Sequence, residues 1–296
     1  MSIKISSWNI NSIRNKIESL NIFLENENPD ILFISETKIK PNLESSLTEK
    51  IDNEYVCIWN SNKTTHWHGT LILYKKETFK KVDTMSFKLD SISDIYKYDK
   101  DTSRSKRINS ISEEDIDEDT NKAHLTEGRV ILCNFHLMNG NNFVLLGTYS
   151  PNSGVNRTDP LKRLAYRVLR WDLDIYDMLE KLKKEYKNVI WLGDLNVARK
   201  TNDMSYKMII AGTTEEERDN FETFLTNYWV DTFDELNTEL VKFKDRATYG
   251  FGKKLQLRLD YVICSYDMKK YLVSSKILQD YNEVSDHLPI YTEFKF

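Results

Sequence analysis

The chain has 296 residues and a net charge of −4, and 40% of its residues are hydrophobic and 12% aromatic. This apolar content suffices for a substantial core and excludes wholesale disorder, and no stretch approaches the roughly 20 apolar residues of a membrane span. The small negative charge argues only weakly against a polyanionic partner, because a local basic face is enough to bind one.

The predicted elements alternate between short strands and helices, which favours an α/β architecture. The first strand is predicted at residues 3–8, where apolar and polar positions alternate, so a signal peptide is not expected. Further strands are predicted at residues 31–34, 55–59, 70–74, 129–137, 143–149, 189–192, 259–264 and 290–294. Helices are predicted at residues 17–24, 161–182 and 214–227.

Residues 86–126 interrupt this alternation. They are rich in Ser, Asp and Lys and end in the acidic run at 113–119. This composition predicts a charged, flexible insertion within a single domain that spans residues 1–296. The basic cluster at 104–107 leaves open the alternative of a regulatory or partner-binding arm.

The cysteines lie inside apolar runs and are not spaced like ligands of zinc or like a redox motif. Cys57, Cys133 and Cys264 are therefore expected to be small buried hydrophobic residues in a reducing compartment. We expect an intracellular protein of the nucleus, the cytoplasm or a viral compartment, which is neither secreted nor attached to a membrane.

Polar residues follow the ends of several predicted strands. Because ligands in layered α/β folds gather beyond strand ends, such residues can converge on one site. Each of them taken alone could equally be a helix cap or a turn residue. The set comprises Asn9, Asn11, Glu36, Asp194, Asn196, Asp260, Asp286 and His287.

These residue types suit the hydrolysis of a phosphodiester. Oxygen donors such as Glu36 and Asn11 match the preference of Mg²⁺. Asp194 could orient and deprotonate an attacking water with the help of a neighbouring amide at Asn196. His287 could stabilise the charge that develops on phosphate oxygens.

The same positions resemble the successive motifs of the exonuclease III-type AP endonucleases, within the endonuclease/exonuclease/phosphatase superfamily. The resemblance covers residues 3–295 apart from the insertion. Its motifs are Ser7-Trp8-Asn9-Ile10-Asn11, Glu36-Thr37-Lys38, Glu127-Gly128-Arg129-Val130, Tyr149-Ser150-Pro151-Asn152, Gly193-Asp194-Leu195-Asn196, Arg258-Leu259-Asp260-Tyr261 and Ser285-Asp286-His287.

The resemblance implies a four-layered α/β sandwich, in which two facing mixed β-sheets are flanked by helices. It implies Mg²⁺, or Mn²⁺ in its place, held near Asn11, Glu36 and Asp286. It also implies residues that carry the reaction and residues that contact the substrate. The former are Tyr149, Asp194, Asn196, Asp260 and His287, and the latter are Asn9, Arg14, Asn152 and Trp67.

The implied activity is that of a monomeric class II AP endonuclease, which acts in base excision repair. Such an enzyme hydrolyses the phosphodiester 5′ to an abasic site in double-stranded DNA, and it can also act as a 3′-exonuclease or 3′-phosphodiesterase. The alternatives are a general DNA or RNA nuclease of the same superfamily and a non-catalytic binding module that retains the fold.

The sequence departs from the family pattern in two places. Asn11 stands where many members have Asp, which removes a charge from the expected metal site. In the pocket for the flipped-out sugar, Arg246 and Leu257 occupy positions where members carry aromatic residues. The pocket is therefore expected to be less strict than in those members.

Overall fold

The computed structural model describes residues 1–85, 127–154, 160–205, 210–226, 228–240, 242–251 and 254–296. The predicted insertion at 86–126 lies outside these residues. Two six-stranded sheets form the centre of the molecule. No helix in the described ranges is long and apolar enough to cross a membrane.

The first sheet has the strand order β13-β14-β1-β2-β4-β3 and the second has the order β5-β6-β7-β8-β12-β9. The strands of the first sheet are β1 (Ser2–Asn9), β2 (Ile31–Ser35), β3 (Tyr55–Asn60), β4 (Thr70–Lys75), β13 (Leu272–Ile277) and β14 (Ile290–Lys295). Those of the second are β5 (Phe79–Thr84), β6 (Val130–Leu137), β7 (Asn142–Tyr149), β8 (Val189–Asp194), β9 (Trp229–Asp231) and β12 (Asp260–Ser265). A separate hairpin joins β10 (Tyr249–Phe251) to β11 (Lys254–Leu257).

Each sheet is built around one parallel pair of strands. β1 pairs in parallel with β2, and β7 pairs in parallel with β8. The chain crosses between β1 and β2 through helix α1 (Ile17–Glu27). A longer helical stretch leads to β8, and it comprises α3 (Pro160–Tyr166), a π-helical segment (Arg167–Trp171) and α4 (Asp172–Glu185). Both parallel pairs therefore present their carboxyl ends at one edge of their sheet.

Three apolar layers hold the sandwich together. The inner layer lies between the sheets and contains Ile5, Phe33, Phe143 and Leu192. One outer layer lies between α1 and the first sheet, and the other lies between the second sheet and the helices of residues 160–185 and α5 (Glu215–Leu225). The four-layered α/β sandwich expected from the sequence is thereby confirmed. Two further short α-helices in the described residues are α2 (Glu44–Thr48) and α6 (Thr232–Leu236).

The predicted strands and helices agree with the structure to within a few residues, and the elements that were not predicted lie mainly at sheet edges. β5 and β13 are edge strands with several exposed side chains, so their hydrophobic alternation is weak. The helix predicted at 161–182 is present, although it carries the π-helical segment. The helix predicted at 214–227 is α5, and the Thr214 side chain caps it.

The two sheets approach closely where the ring of Phe33 on β2 faces two glycines of the second sheet. A Cβ atom at Gly147 would collide with this ring, and one at Gly193 would collide with the carbonyl oxygen of Thr148. Gly193 also has φ +137°, a conformation that L-residues rarely adopt. Only glycine satisfies both constraints at residue 193, immediately before Asp194.

We expect Gly193→Ala to destabilise the protein by about 3 kcal/mol or more, because conformational strain and a backbone collision add together. Gly140→Ala is the matched control, since Gly140 has φ +87° and open space around its Cα. The control should lose only about 1–2 kcal/mol from the unfavourable φ. Urea unfolding of both variants measures the difference, and equal losses would show that the close approach at Gly193 is unimportant.

Candidate active site

The candidate residues face the inner layer because of the two-residue repeat of the strands. On β1, Ile3 and Ile5 belong to the inner layer, and two further steps along the same face lead to Asn9. On β8, Ile190 and Leu192 lead to Asp194 in the same way. By the same two-residue spacing, Tyr149 lies on the inner face of β7 and Asp260 on the inner face of β12. Each apolar row thus ends in a polar residue at the same end of the sandwich.

Asn9 is the link between the two sheets at this site. Its side-chain nitrogen donates to Glu36 Oε1 and to Asp194 Oδ2, both at 2.9 Å, and lies 3.4 Å from His287 Nε2. Asn9 is completely buried. It was expected to contact the substrate, but its amide instead holds the side chains that surround it.

Asp194 is held on both of its oxygens. The backbone N–H of Asn196 donates to Asp194 Oδ1 at 2.9 Å, and Asn196 has a left-handed backbone conformation with φ +50°. The Asn196 side chain donates to the carbonyl oxygen of Ser150, which ties the β8 loop to the loop after β7. Burial raises the pKa of Asp194 to about 7, and the carboxylates of Asp260 and Glu36 act in the same direction.

His287 is positioned by Asp260. The distance from His287 Nδ1 to Asp260 Oδ2 is 2.8 Å, and His287 Nε2 lies 3.8 Å from Asp194 Oδ2. Burial alone would lower the pKa of His287, but the carboxylates of Asp260 and Asp194 raise it to about 10. The imidazole is therefore protonated at neutral pH, and both ring nitrogens are donors.

Glu36 lies at the end of β2 in a left-handed conformation, with φ +54°. Its Oε2 atom is 2.7 Å from the ammonium of Lys38, and its Oε1 atom accepts a 2.8 Å hydrogen bond from the Tyr149 hydroxyl. Burial alone would raise the pKa of Glu36, but Lys38 lowers it to about 2. Lys38 was not among the predicted site residues, although it stands inside the quoted Glu36-Thr37-Lys38 motif.

The candidate metal ligands form a connected group of oxygen donors. The Lys38 ammonium also donates to Asn11 Oδ1, and Asn11 Nδ2 donates to Asp286 Oδ1 at 2.9 Å. Glu36 is ionised and pairs with the ammonium of Lys38, so its carboxylate is an environment that stabilises a positive charge. The donor set of Glu36, Asn11 and Asp286 therefore fits a hard divalent cation.

Another group of ionisable residues has the compactness of a metal site. Among the described residues, ligand atoms of Asp194, Asp260 and His287 lie within 4.8 Å of one another. Within this group His287 Nδ1 and Asp260 Oδ2 lie 2.8 Å apart, the distance of a hydrogen bond. The oxygen donors on the Glu36 side are the residues whose chemistry fits a hard divalent cation.

A cavity of about 200 Å³ opens beside His287 and Asp194. One wall is polar and includes Glu36, Tyr149, Asn152 and Asn196, and the opposite wall is formed by Ile210, Ala211, Tyr249, Leu257 and Leu259. Glu217, in the capping box of α5, holds the second wall in place by accepting a 2.9 Å hydrogen bond from the Gly212 N–H. The ring of Tyr249 packs 4.7 Å from that of His287.

Arg246 does not line this cavity, contrary to the expectation from the sequence. Its guanidinium is buried beneath the site, where it donates to Asp203 Oδ1 at 2.8 Å and pairs with Asp234. Arg258 belongs to the same buried ionic cluster and binds Asp231 through two hydrogen bonds. Leu257, the other substituted position, does line the cavity.

The three remaining predicted contacts lie at the rim of the site. Trp67 is 54% exposed, so it is not a core residue, and its ring stacks near His66 and lies 5.9 Å from the Lys38 ammonium. Arg14 is exposed and donates to the Lys38 carbonyl oxygen at 2.7 Å. Asn152 is also exposed, and its Oδ1 accepts from the Gly154 N–H. All three side chains remain accessible to a large ligand.

Comparisons with known proteins agree with this geometry. The sequence profile of the Endonuclease/Exonuclease/phosphatase family matches residues 6–287. A DNA-(apurinic or apyrimidinic site) endonuclease of Dictyostelium discoideum is 32% identical over 97% of this chain and 69% of its own length. An exodeoxyribonuclease of Bacillus subtilis is 26% identical over 97% of this chain and 98% of its own length.

Solved structures show the same fold. An AP endonuclease from Leishmania major superposes with a TM-score of 0.75 at 23% identity, covering 100% of this chain and 88% of that one. A 3′ phosphatase from Neisseria, solved with a product DNA hairpin, has a TM-score of 0.72 at 18% identity, covering 99% of this chain and 100% of its own. The chain therefore belongs to the endonuclease/exonuclease/phosphatase family, in which it groups with the exonuclease III-type AP endonucleases.

Proposed function

We propose that this protein hydrolyses the phosphodiester 5′ to an abasic site in double-stranded DNA, with the help of a divalent cation. The observation that carries the proposal is the cavity of about 200 Å³ beside Asp194 and His287. This volume is below the roughly 300 Å³ at which pockets begin to hold drug-sized ligands. A deoxyribose without a base would fit it more readily than a complete nucleotide.

The aliphatic wall of the cavity supports the same substrate. Leu257 and Leu259 can pack against the apolar face of a sugar, while they offer no hydrogen bonds to the edge of a base. An abasic nucleotide also leaves the helix at little cost, because it has no base to unpair or unstack. The names of the relatives from Dictyostelium discoideum and Leishmania major point to this substrate class as well.

In the proposed reaction, Asp194 accepts a proton from the attacking water. The water oxygen bonds to phosphorus, and the bond between phosphorus and the 3′-oxygen breaks. Asn9 and Asn196 fix the carboxylate by hydrogen bonds, so little reorganisation is needed when it takes up the proton. The raised pKa of Asp194 suits a base that works near neutral pH.

The developing negative charge is met by donors that the fold has already placed. Protonated His287 can donate from Nε2 to a phosphate oxygen, while its other ring nitrogen, Nδ1, is hydrogen-bonded to Asp260. Burial raises the pKa of Tyr149 well above its usual value, so its hydroxyl stays protonated. Its single hydrogen is donated to Glu36 and would turn to the phosphate or the leaving oxygen to act as a second donor. Asn152 is an accessible amide at the mouth of the cavity. A cation held by Glu36, Asn11 and Asp286 would add Lewis-acid stabilisation of the phosphate.

The proposal extends to the substrate contacts and to the setting of the enzyme. Trp67 and Arg14 are exposed at the rim of the site, where a DNA duplex would lie. We propose that the enzyme acts as a monomer inside a cell or a virus, where its DNA substrate is found. A 3′-exonuclease or 3′-phosphodiesterase activity is proposed as secondary, since a relative is an exodeoxyribonuclease and a structural neighbour is a 3′ phosphatase.

Incision of a duplex with one abasic analogue should be faster than incision of the intact duplex by at least about tenfold. The reason is that extruding a normal nucleotide costs a few kcal/mol, and each 1.4 kcal/mol is about a factor of ten. Both duplexes are labelled and compared at the same salt concentration, with a 3′-recessed end as a third substrate. Equal rates on all three would move the protein to the general nucleases of its family.

Mg²⁺ or Mn²⁺ should stabilise the folded protein against heat, and Glu36→Gln should remove this effect. At a concentration of 100 times Kd, a bound cation adds about 2.7 kcal/mol of stability. The matched control is Glu54→Gln, which removes an exposed carboxylate from the loop before β3. Thermal unfolding with and without the cation measures the shift. The control should keep the shift, and an undiminished shift in Glu36→Gln would refute the metal assignment.

The pH dependence of kcat/KM should show a plateau between about 7 and about 10. Below this range Asp194 becomes protonated and cannot accept a proton, and above it His287 loses the proton that it donates. Asp194→Asn should lower the rate by roughly 10²–10⁴-fold and abolish the acid limb. Asp267→Asn, which alters an exposed carboxylate beyond the far end of β12, should leave the profile unchanged. An unchanged acid limb in Asp194→Asn would exclude Asp194 as the base.

A further inference from the structure

The π-helical segment Arg167–Trp171 begins at an arginine that lies in the interior of the protein. Arg167 is 2% exposed, and it occupies the helix face that also carries the buried Leu164, Val168 and Trp171. An apolar side chain would fit this face without the cost of burying a charge. Since π-helical turns often occur at functional sites, the contacts of Arg167 are informative.

The guanidinium of Arg167 binds two loops of the active site at once. One terminal nitrogen donates to the Pro151 carbonyl oxygen at 2.9 Å, and the other donates to the Leu195 carbonyl oxygen at 2.7 Å. Pro151 directly precedes Asn152, and Leu195 lies between Asp194 and Asn196. Because the guanidinium is planar and rigid, these two bonds fix the distance between the loops.

The third donor of Arg167 keeps the guanidinium charged and oriented. Its Nε donates to Asp172 Oδ1 at 2.7 Å, one helical turn further along the chain. Burial alone would lower the pKa of Arg167, but the carboxylates of Asp172 and Glu217, together with the hydrogen bond to Asp172, raise it. Both loop carbonyls therefore receive charge-assisted hydrogen bonds, which are stronger than neutral ones.

Further contacts tie the same loops together. The indole N–H of Trp171 donates to Ser150 Oγ at 3.1 Å, and the Asn196 side chain donates to the Ser150 carbonyl oxygen at 2.9 Å. The helix thus contacts the β7 loop at two successive residues, and the side chain of Arg167 reaches from the helix to both loops. Misplacing one loop by about 1 Å would separate the proposed base from the phosphate that it serves.

We propose that Arg167 is a positioning residue for phosphodiester hydrolysis. By binding both loops, Arg167 holds residues 150–152 at a fixed distance from residues 194–196. The inference rests on the proposed function only in that Asp194 and Asn152 serve the same reaction. It holds for any DNA phosphodiester that the site cleaves, whether or not the nucleotide is abasic. The competing interpretation is that Arg167 only stabilises the fold.

These interpretations are separated by comparing kcat between variants that lose the same amount of melting temperature. Arg167→Met keeps an unbranched side chain that fills the space of the arginine stem and removes all of the hydrogen bonds, whereas Arg167→Lys keeps the charge and some of them. Leu179→Ala is the control for stability, because Leu179 is fully buried in the same helical stretch and belongs to the apolar layer under the second sheet.

We expect Arg167→Met to lower kcat by about 100-fold, the scale on which small displacements of reacting groups act. KM should change far less, because other phosphate contacts bind the DNA. Arg167→Lys should recover part of the loss, to within about tenfold of wild type. Leu179→Ala should keep kcat within about threefold of wild type, even where its melting temperature falls as far as that of Arg167→Met.

The outcome that overturns the proposal is a kcat of Arg167→Met equal to that of Leu179→Ala at the same loss of melting temperature. If Arg167→Met does not fold, the same comparison is made with Arg167→Lys, and a kcat equal to that of the control is again decisive. The rates are measured on the best substrate of the wild-type enzyme. Loss of abasic preference therefore refutes the proposed function, while loss of the Arg167 effect refutes the positioning role.

Discussion

The site depends on the close approach of two sheets at the ring of Phe33. Gly147 and Gly193 lack the Cβ atoms that would hold the second sheet away from this ring. Because the strands that meet here end nearby, Glu36 of one sheet comes within hydrogen-bond distance of Tyr149 in the other. A separation about 1 Å greater between the sheets would break this contact, so the glycines determine the geometry of the site.

A neutral amide at the centre of the site allows ionisable groups to lie close together. Asn9 donates to two carboxylates and lies beside the imidazole of His287. A charged residue at this position would shift the pKa of all three groups in one direction. With Asn9 in place, Glu36 stays ionised because of Lys38, while the pKa of Asp194 is raised by burial. The two carboxylates therefore have different environments and different proposed roles.

Buried arginine–aspartate pairs lie on two sides of the site, and the two groups support it in different ways. On one side, Arg246 and Arg258 are neutralised by buried aspartates below the aliphatic wall of the cavity. On the other side, Arg167 is neutralised by Asp172 and reaches the backbone of the loops themselves. Buried charges are costly to desolvate, and their pairing keeps each arginine in one orientation. The loops they contact are correspondingly rigid supports for the candidate site.

The sequence pattern by itself predicted the alternation of strands and helices, whereas the four layers were implied by the family resemblance. Side chains alternate along a strand, so the apolar rows that end at Asn9 and Asp194 could be assigned to one face from local pattern alone. The edge strands β5 and β13 escaped prediction, because a strand with one neighbour and exposed side chains has little hydrophobic alternation. Only the tertiary structure showed that Lys38 forms an ion pair with Glu36 and that Arg246 binds Asp203 instead of lining the cavity. The partner of a long charged side chain is chosen by distance in space, and residues far apart in the chain, such as Arg167 and Leu195, give no local signal of their contact.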